Sequence, residues 1–302
     1  MTMSDPRRQI QVYIPVYNDI RFLPDAVASV LGQRDVDVEI IVSDNASTDG
    51  TSEWLAQAAA RESRIVVHRN RENLGLMANL NRFRALITSD FYMLLCSDDR
   101  LGSPDSLCSA LQVMEQYPDV VSVYADMLYI DGLGRSIMTR SFGRSGRFDA
   151  PAVLRGSIMS GRNLFGIPLL HRRSSGIEVP YPEAMTYVAD VYHSARCADY
   201  GALFHLPRQL IHNRYSGANA TGQLYRSTLR QFDALAEDFG IKLSPAERML
   251  QRIQINRTVL AKAAFLRYVG WRSRAASKIL QAPVAWHSRL PLDLGDEQRP
   301  IR

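Results

Sequence analysis

Short apolar runs alternate with amphipathic stretches through the first half of the chain. Gln9 to Pro15 (Gln-Ile-Gln-Val-Tyr-Ile-Pro) alternates and is β-rich, which predicts a strand, and it breaks at Val16-Tyr-Asn-Asp19 before a helical pattern from Phe22 to about Gln33. Val38 to Ser43 predicts a second, buried strand. It runs into Asp44-Asn-Ala-Ser-Thr-Asp-Gly-Thr51, a turn rich in side-chain acceptors that opens a helix from about Ser52 to Arg61. Ile65 to Arg69, a turn at Asn70 to Gly75, a helix from Leu76 to Thr88 and a strand from Phe91 repeat the unit. Strands alternating with helices imply a mostly parallel sheet with right-handed crossovers, a Rossmann-like α/β architecture.

The Phe91 run is the pivot, because it ends abruptly in Ser97, Asp98 and Asp99. Open α/β sheets bind ligands just beyond the carboxyl ends of their strands, so a carboxylate pair there is placed to hold a divalent cation and the phosphates it bridges. A polar turn leading to a helix cap is the competing explanation of the same residues. After Ser103-Pro104 the pattern predicts a helix to about Tyr117 and a strand from Val120 to Met127. Residues 128 to 147, with four Gly, four Arg and little periodicity, predict an irregular loop above the sheet. A helix at Pro151 to Ser160, a strand at Leu164 to His171 and a connection at Ser174 to Glu183 follow. Thr186 then caps a helix ending at Gly201, with Asp190 in its first turn, and two short strands flank Pro207.

From Gln223 onward the chain reads as helical, and Ser244-Pro-Ala-Glu247 is a capping box with Pro at the first helical position. Met249, Leu250, Ile253, Leu260 and Ala264 share one arc of that helix, with Arg248, Arg252 and Lys262 opposite. Glu247 is the one acid between Ser244 and Leu280. Such a basic amphipathic helix either lies on anionic lipid or packs its apolar arc on the parent domain with its charges solvated.

The 302 residues, 46% hydrophobic, allow a sizeable core. The net charge of +5 fits anionic ligands or a membrane surface, and no basic tract interleaved with aromatics points to nucleic acid. Cys96, Cys108 and Cys197 are odd in number and lack close pairing, which argues for reduced thiols in the cytoplasm and against a disulfide framework or a zinc site. The amino terminus has no apolar leader, and no stretch reaches the length of a membrane span.

Six separated stretches resemble one family, the inverting glycosyltransferases of family 2 with the GT-A fold. Val12-Tyr-Ile-Pro-Val-Tyr-Asn18 is similar to its first strand and turn, Asp44-Asn-Ala-Ser-Thr-Asp49 to its Asp-Asp-Gly-Ser-Thr-Asp loop, and Asn73-Leu-Gly75 to its Asn-x-Gly turn. Cys96-Ser-Asp-Asp99 resembles the Asp-x-Asp metal motif, Ala189 to Gly201 the helix bearing the catalytic base, and Asn213 to Thr221 the closing Tyr-Arg-x-His loop. Three positions depart from the pattern: Cys96 for the first Asp, Ala189 for the Glu before the base, and Ser216 for the His.

The resemblance implies a GT-A-like domain over residues 1–222, with a nucleotide-binding half at about 9–127 and an acceptor-side half at about 128–222, and a helical basic extension over 223–302. It implies transfer of a sugar from a nucleoside-diphosphate sugar to a hydroxyl of a glycan or lipid-linked acceptor in cell-surface polysaccharide synthesis, in the cytoplasm or at the inner face of the membrane. Asp44 would accept a hydrogen bond from a uracil- or thymine-like imide, favouring a UDP- or dTDP-sugar, with Pro15 and Tyr17 packing on the base and Asn18 and Asn73 on the donor side; an Asx turn is the structural alternative for Asp44. Asp98 would bind the ribose or support the metal, Asp99 would ligate Mg²⁺ or Mn²⁺, and Arg214 would hold the departing diphosphate, with Arg69 a further phosphate candidate. Asp190 would be the general base, its alternative being an acid that complements the helix dipole. His193 has no carboxylate or Cys spaced to join it and reads as a packing or acceptor-side residue. Two other functions fit part of the pattern: a sugar-nucleotide nucleotidyltransferase, and a non-catalytic nucleotide- or glycan-binding relative.

Overall fold

The computed structural model describes residues 8–215 and 228–280. Ten strands form one mixed sheet: β1 (Gln9–Val16), β2 (Asp37–Asp44), β3 (Ile65–Arg69), β4 (Phe91–Leu94), β5 (Arg100–Leu101), β6 (Val120–Asp131), β7 (Ser136–Arg140), β8 (Gly146–Phe148), β9 (Pro168–Arg172) and β10 (Ala202–Tyr215). The order is β3-β2-β1-β4-β9-β6-β10-β5, with β7 added to β6 and β8 to β10. β1 pairs in parallel with β2 and β4, β2 with β3, and β6 with β10, whereas β9 runs antiparallel between β4 and β6. This is the mostly parallel, helix-flanked, GT-A-like sheet expected. β1 and β2 are buried along nearly their whole length, as strands covered on both faces must be. Helices α1 (Leu23–Leu31), α2 (Thr51–Arg61) and α5 (Ser106–Gln116) fall within a residue or two of the predicted spans.

Register brings the ends of the parallel strands together. Val16 sits opposite Asp44, Asp44 opposite Arg69, and Tyr13 opposite Leu94, so the segments that follow these strands emerge along one edge.

Several spans differ from the periodicity for identifiable reasons. The helix expected from Leu76 to Thr88 is two short ones, α3 (Leu76–Asn81) and α4 (Phe83–Leu86). Tyr13 Oη donates to the Asn79 carbonyl at 2.5 Å, and the Asn81 side chain bridges to the backbone N–H and carbonyl of Tyr181, so tertiary bonds override the helical ladder. The irregular loop expected at 128–147 is strand instead: β6 runs on to Asp131 and returns as β7, because Asp131 Oδ1 accepts the N–H groups of Leu133 and Arg135 and Gly134 supplies φ +77°. β9 starts later than expected, since Asn163 Oδ1 holds the N–H groups of Phe165 and Gly166 in a turn. The two strands expected around Pro207 are one, β10, with register shifts between Leu206 and Ile211 absorbing the proline.

The second layer is helical: α6 (Ala150–Ser160), the short α7 (Arg173–Gly176), α8 (Ala189–Cys197), α9 (Thr228–Asp238) and α10 (Pro245–Leu280). Thr186 does not cap α8; a 3₁₀ turn at Glu183–Met185 leads in, and Gln231 of α9 takes the Tyr187 N–H. The capping box of α10 forms as predicted, Ser244 N donating to Glu247 Oε2 at 2.8 Å and Glu247 N to Ser244 Oγ at 3.3 Å. Its packing face, however, is not the predicted apolar arc. Gln251, Ile255 and Val269 are buried, while Met249 (67% exposed), Leu250, Ile253 and Leu260 (67%) face water. Among the described residues no helix is long and apolar enough to cross a membrane.

Candidate active site

Asp19 begins the turn after β1, and its Oδ2 accepts from Ser97 Oγ at 2.7 Å, tying the first loop to the acidic segment after β4. Burial and the charges of Asp98 and Asp49 push its carboxyl up to about 7, against the opposing Ser97 hydroxyl and Arg214. Burial likewise raises Asp98 to about 6. Asp99 is held well above the usual carboxylate range by burial and by the neighbouring Asp98 charge. Its Oδ1 accepts the Arg214 N–H and its Oδ2 the Asn213 side-chain amide, both at 2.8 Å, and it is 3% exposed. Asp98 is half-buried and Cys96 exposed, so these two, more than Asp99, meet the cleft.

Asp190, in the first turn of α8, is exposed to solvent, and its charge reaches the Cys96 thiol. Protein surrounds it on its remaining sides, and that partial desolvation raises its carboxyl, opposed by the charge of Lys262. The Cys96 sulfur, although its residue reaches solvent, is itself partly desolvated, and that desolvation with the charges of Asp99, Asp98, Asp190 and Asp19 pushes its thiol up. Donor atoms of Cys96, Asp98 and Asp99 all fall within 4.8 Å of one another. Two adjacent carboxylates, both pushed up by burial and one also by the other's charge, fit a hard divalent cation such as Mg²⁺ or Mn²⁺, and the thiol is the softest of the three donors.

Around this centre the loops are fastened to one another. Asn18, at φ +52°, donates its N–H to Ser47 Oγ and accepts the Thr48 N–H. Asn73 Oδ1 accepts from Asn45 and from the Gly75 N–H, and Asn79 links Ser43 to Asn70. Tyr17 is 48% exposed at the mouth, with Pro15 half-buried in β1 behind it.

Two expected ligand contacts face inward. Asp44 is fully buried, with Oδ1 accepting the Ser47 N–H at 3.0 Å and Oδ2 accepting from Ser52 Oγ, which is the Asx-turn geometry; Arg69 Nε stands 3.7 Å from it. Arg214, 3% exposed, donates Nε to the Asp98 carbonyl, Nη1 to the Asp131 carbonyl and Nη2 to Asp25, and stacks over Phe22 at 4.8 Å. Ser216 and the rest of the closing loop to Thr221 lie outside the described residues.

Asp19 and Lys262 join the site without having been singled out for it in the sequence; the signal for Asp19 was its place directly after a parallel strand. The expectation that no Cys is spaced to join His193 is corrected: Cys197 lies one turn on, its Sγ 3.6 Å from His193 Nδ1, and both pack with His171 beneath α8. A separate depression lined by Arg8, Asp90, Phe91, Met114 and Arg172 lies near the amino end of β4, away from the carboxylates.

Comparison with known proteins gives the family and the fold. Residues 11–162, half of the chain, match the family described as Glycosyl transferase family 2. Abequosyltransferase RfbV of Salmonella typhimurium is 33% identical over 114 residues, 37% of this chain and 34% of its own length. Putative glycosyltransferase EpsE of Bacillus subtilis is 33% identical over 127 residues, so the chain spans less than half the length of both curated relatives. Among solved structures, S. aureus TarS in complex with UDP-GlcNAc superimposes with a TM-score of 0.61 at 15% identity over 82% of this chain and 72% of that one. The mannosyltransferase PcManGT of Pyrobaculum calidifontis, in complex with GDP-Man and Mn²⁺, gives 0.57 at 16% identity over 91% and 77%.

Proposed function

The chain belongs to glycosyl transferase family 2, and on that premise we propose that it moves a sugar, with inversion and with a divalent cation, from a nucleoside-diphosphate sugar to a hydroxyl of a glycan or lipid-linked acceptor in polysaccharide synthesis. The observation that carries this reading is the Cys96–Asp98–Asp99 cluster at the carboxyl end of β4, with the charge of Asp190 acting on the same Cys96 thiol. Inversion needs a base on the face of the sugar opposite the leaving group, and Asp190, an acid on a separate element near the Cys96–Asp98–Asp99 cluster, is the candidate for it.

Asp190 is assigned as the base. Its raised pKa strengthens it as a proton acceptor for the acceptor hydroxyl, and the charge of Lys262 keeps it ionised. Asp98, open to the cleft, and Asp99 beneath it are assigned to the cation, which when bound supplies charge neutralisation on the departing diphosphate. The buried Asp99 fixes β10, so Asp98 carries the larger share of the exposed contact. Asp19 orients Ser97 and adds negative charge beside the pair.

Donor contacts are assigned to Pro15, Tyr17, Asn18 and Asn73. Asp44 reaches a base imide, the ground for favouring UDP- or dTDP-sugars, by exchanging the Ser52 hydroxyl for that N–H. Arg214 acts on the diphosphate through the Asp98 carbonyl it holds rather than by direct contact. We place the protein at the cytoplasmic face of the membrane, with the outward apolar stripe of α10 among its arginines resting on anionic lipid.

Asp190→Asn tests the chemistry. Transfer should fall by about 10²–10⁴-fold while nucleotide-sugar binding, read by calorimetry with Mn²⁺, stays unchanged. Full transfer in that variant, or lost donor binding, removes Asp190 from the role of base.

A further inference from the structure

Asp25 stands in the first turn of α1, just after Pro24, a place where any acid complements the helix dipole. Its partners set it apart from an ordinary first-turn acid. Oδ1 accepts from Arg100 Nη1 at 3.3 Å and Oδ2 from Arg214 Nη2, so one carboxylate joins two guanidinium groups that lie 75 and 189 positions further along the chain. Both arginines border the acid pair. Arg100 follows Asp99 directly and opens β5, which pairs with β10 through Ile211 and His212, and its Nε stands 3.3 Å from His212 Nδ1. Arg214 reaches the pair from β10: its backbone N–H donates to Asp99 Oδ1 and its Nε to the Asp98 carbonyl, both at 2.8 Å. Phe22, one turn before Asp25, lies 4.8 Å under the same guanidinium.

A divalent cation held by Asp98 and Asp99 has to settle beside these two positive charges. Arg214 is buried, so water screens its charge far less than that of a surface arginine. A guanidinium is also a competitor, because it pairs with carboxylates by its own paired donors. We propose that Asp25 is a positioning residue for the cation site: it keeps Arg100 and Arg214 paired with itself and neutralised, and so leaves the acid pair to the metal ion. The inference rests on the reading of Asp98 and Asp99 as the cation's ligands and extends it to a residue outside the ligand set. Groups that act on metal ligands from behind govern affinity by about 10–100-fold. The Asp25 side chain is 42% exposed, and solvent screening puts its effect at the lower end of that span.

The test is Mn²⁺ binding to the metal-free, full-length protein, followed through the electron paramagnetic resonance signal of the free ion and therefore independent of activity. Asp25→Asn keeps the shape and one oxygen acceptor but removes the charge, and Mn²⁺ affinity should fall about tenfold. Adding Arg100→Gln to that variant should tighten binding again, because it removes one of the charges that Asp25 had balanced; a purely structural role for Asp25 gives further weakening instead. Arg100→Gln alone leaves Asp25 to Arg214 and should bind Mn²⁺ at least as tightly as the wild type, which keeps the test open if Asp25→Asn does not fold. Wild-type affinity in a folded Asp25→Asn protein, a double variant weaker than the single one, or weakened binding in Arg100→Gln alone overturns the inference. A wild-type protein that binds no Mn²⁺, or an Asp98→Ala variant that binds it as the wild type does, sinks the ligand assignment itself and the inference with it.

Discussion

Asp19, Asp98 and Asp99 crowd negative charge into one end of the cleft, and their raised pKa values make that crowding a stability statement. A carboxyl whose folded pKa exceeds its unfolded value binds more protons when folded. Its stabilisation is complete below the ordinary carboxyl value of 3.8 and is lost as pH rises through the folded values, about 6 for Asp98 and about 7 for Asp19. The metal-free protein should therefore lose melting temperature between about pH 4 and pH 7, Asp19→Asn should flatten the slope, and Mn²⁺ should restore stability at the upper end. The two motif acids should also separate. Asp99→Ala leaves the Asn213 amide and the Arg214 N–H unpaired in a buried place and should cost roughly 1–3 kcal/mol in urea unfolding. Asp98→Ala should cost little stability but abolish the Mn²⁺-dependent rise in melting temperature. Residue types at strand ends were legible in the sequence because parallel strands expose their carboxyl ends to ligand. What each acid does there was less so: Asp99 is bonded to residues more than 110 positions away, and Asp19 to Ser97, 78 positions away, distances over which local pattern carries no information.

Helix α10 shows how periodicity finds an element without orienting it. Its span and its capping box were readable, since both are local bonds; Ser244→Ala should cost about 1 kcal/mol in thermal unfolding. Its packing face was not, because contacts with distant segments choose it: Gln251 donates to the Ile158 carbonyl and Thr258 to that of Ser160, while Ile255 and Val269 join the core. A face chosen by hydrogen bonding to the end of α6 leaves the apolar stripe outside. Substitution at Leu260 or Ile253 to Glu should then shift stability by no more than about 0.5 kcal/mol yet remove sedimentation with vesicles rich in phosphatidylglycerol, while Ile255→Ala should cost roughly 2–5 kcal/mol. A large loss of stability in Leu260→Glu would show the stripe to be packed against protein. The same principle explains β7: Asp131, not any run of apolar residues, turns the chain there, so a stretch that looks irregular by composition is a hairpin.

For the whole molecule, alternation of strand and helix revealed the parallel half of the sheet, since each unit there buries itself against its sequence neighbour. The half beyond β4 inserts β9 antiparallel and returns β10 beside β6, pairings between distant segments that no local period marks. Two residues at the end of β10 bind the acid pair across the sheet. Arg214→Met should therefore loosen the loop after β4 as well as β10, read as faster hydrogen exchange at Asp98 and Asp99, and lower the melting temperature by several degrees.

That link also sets the order in which the protein becomes competent during synthesis. The first hundred residues hold both motif acids, yet the groups that position them, Asn213 and the backbone and guanidinium of Arg214, leave the ribosome more than a hundred residues later. A nascent chain can fold its nucleotide-side strands early, as local βα units do, and still present an acid pair without its fixed geometry until β10 docks. The centre is thus completed by nearly the last strand of the sheet to be made, and a chain that stops short of residue 213 lacks the clamp on its own metal motif.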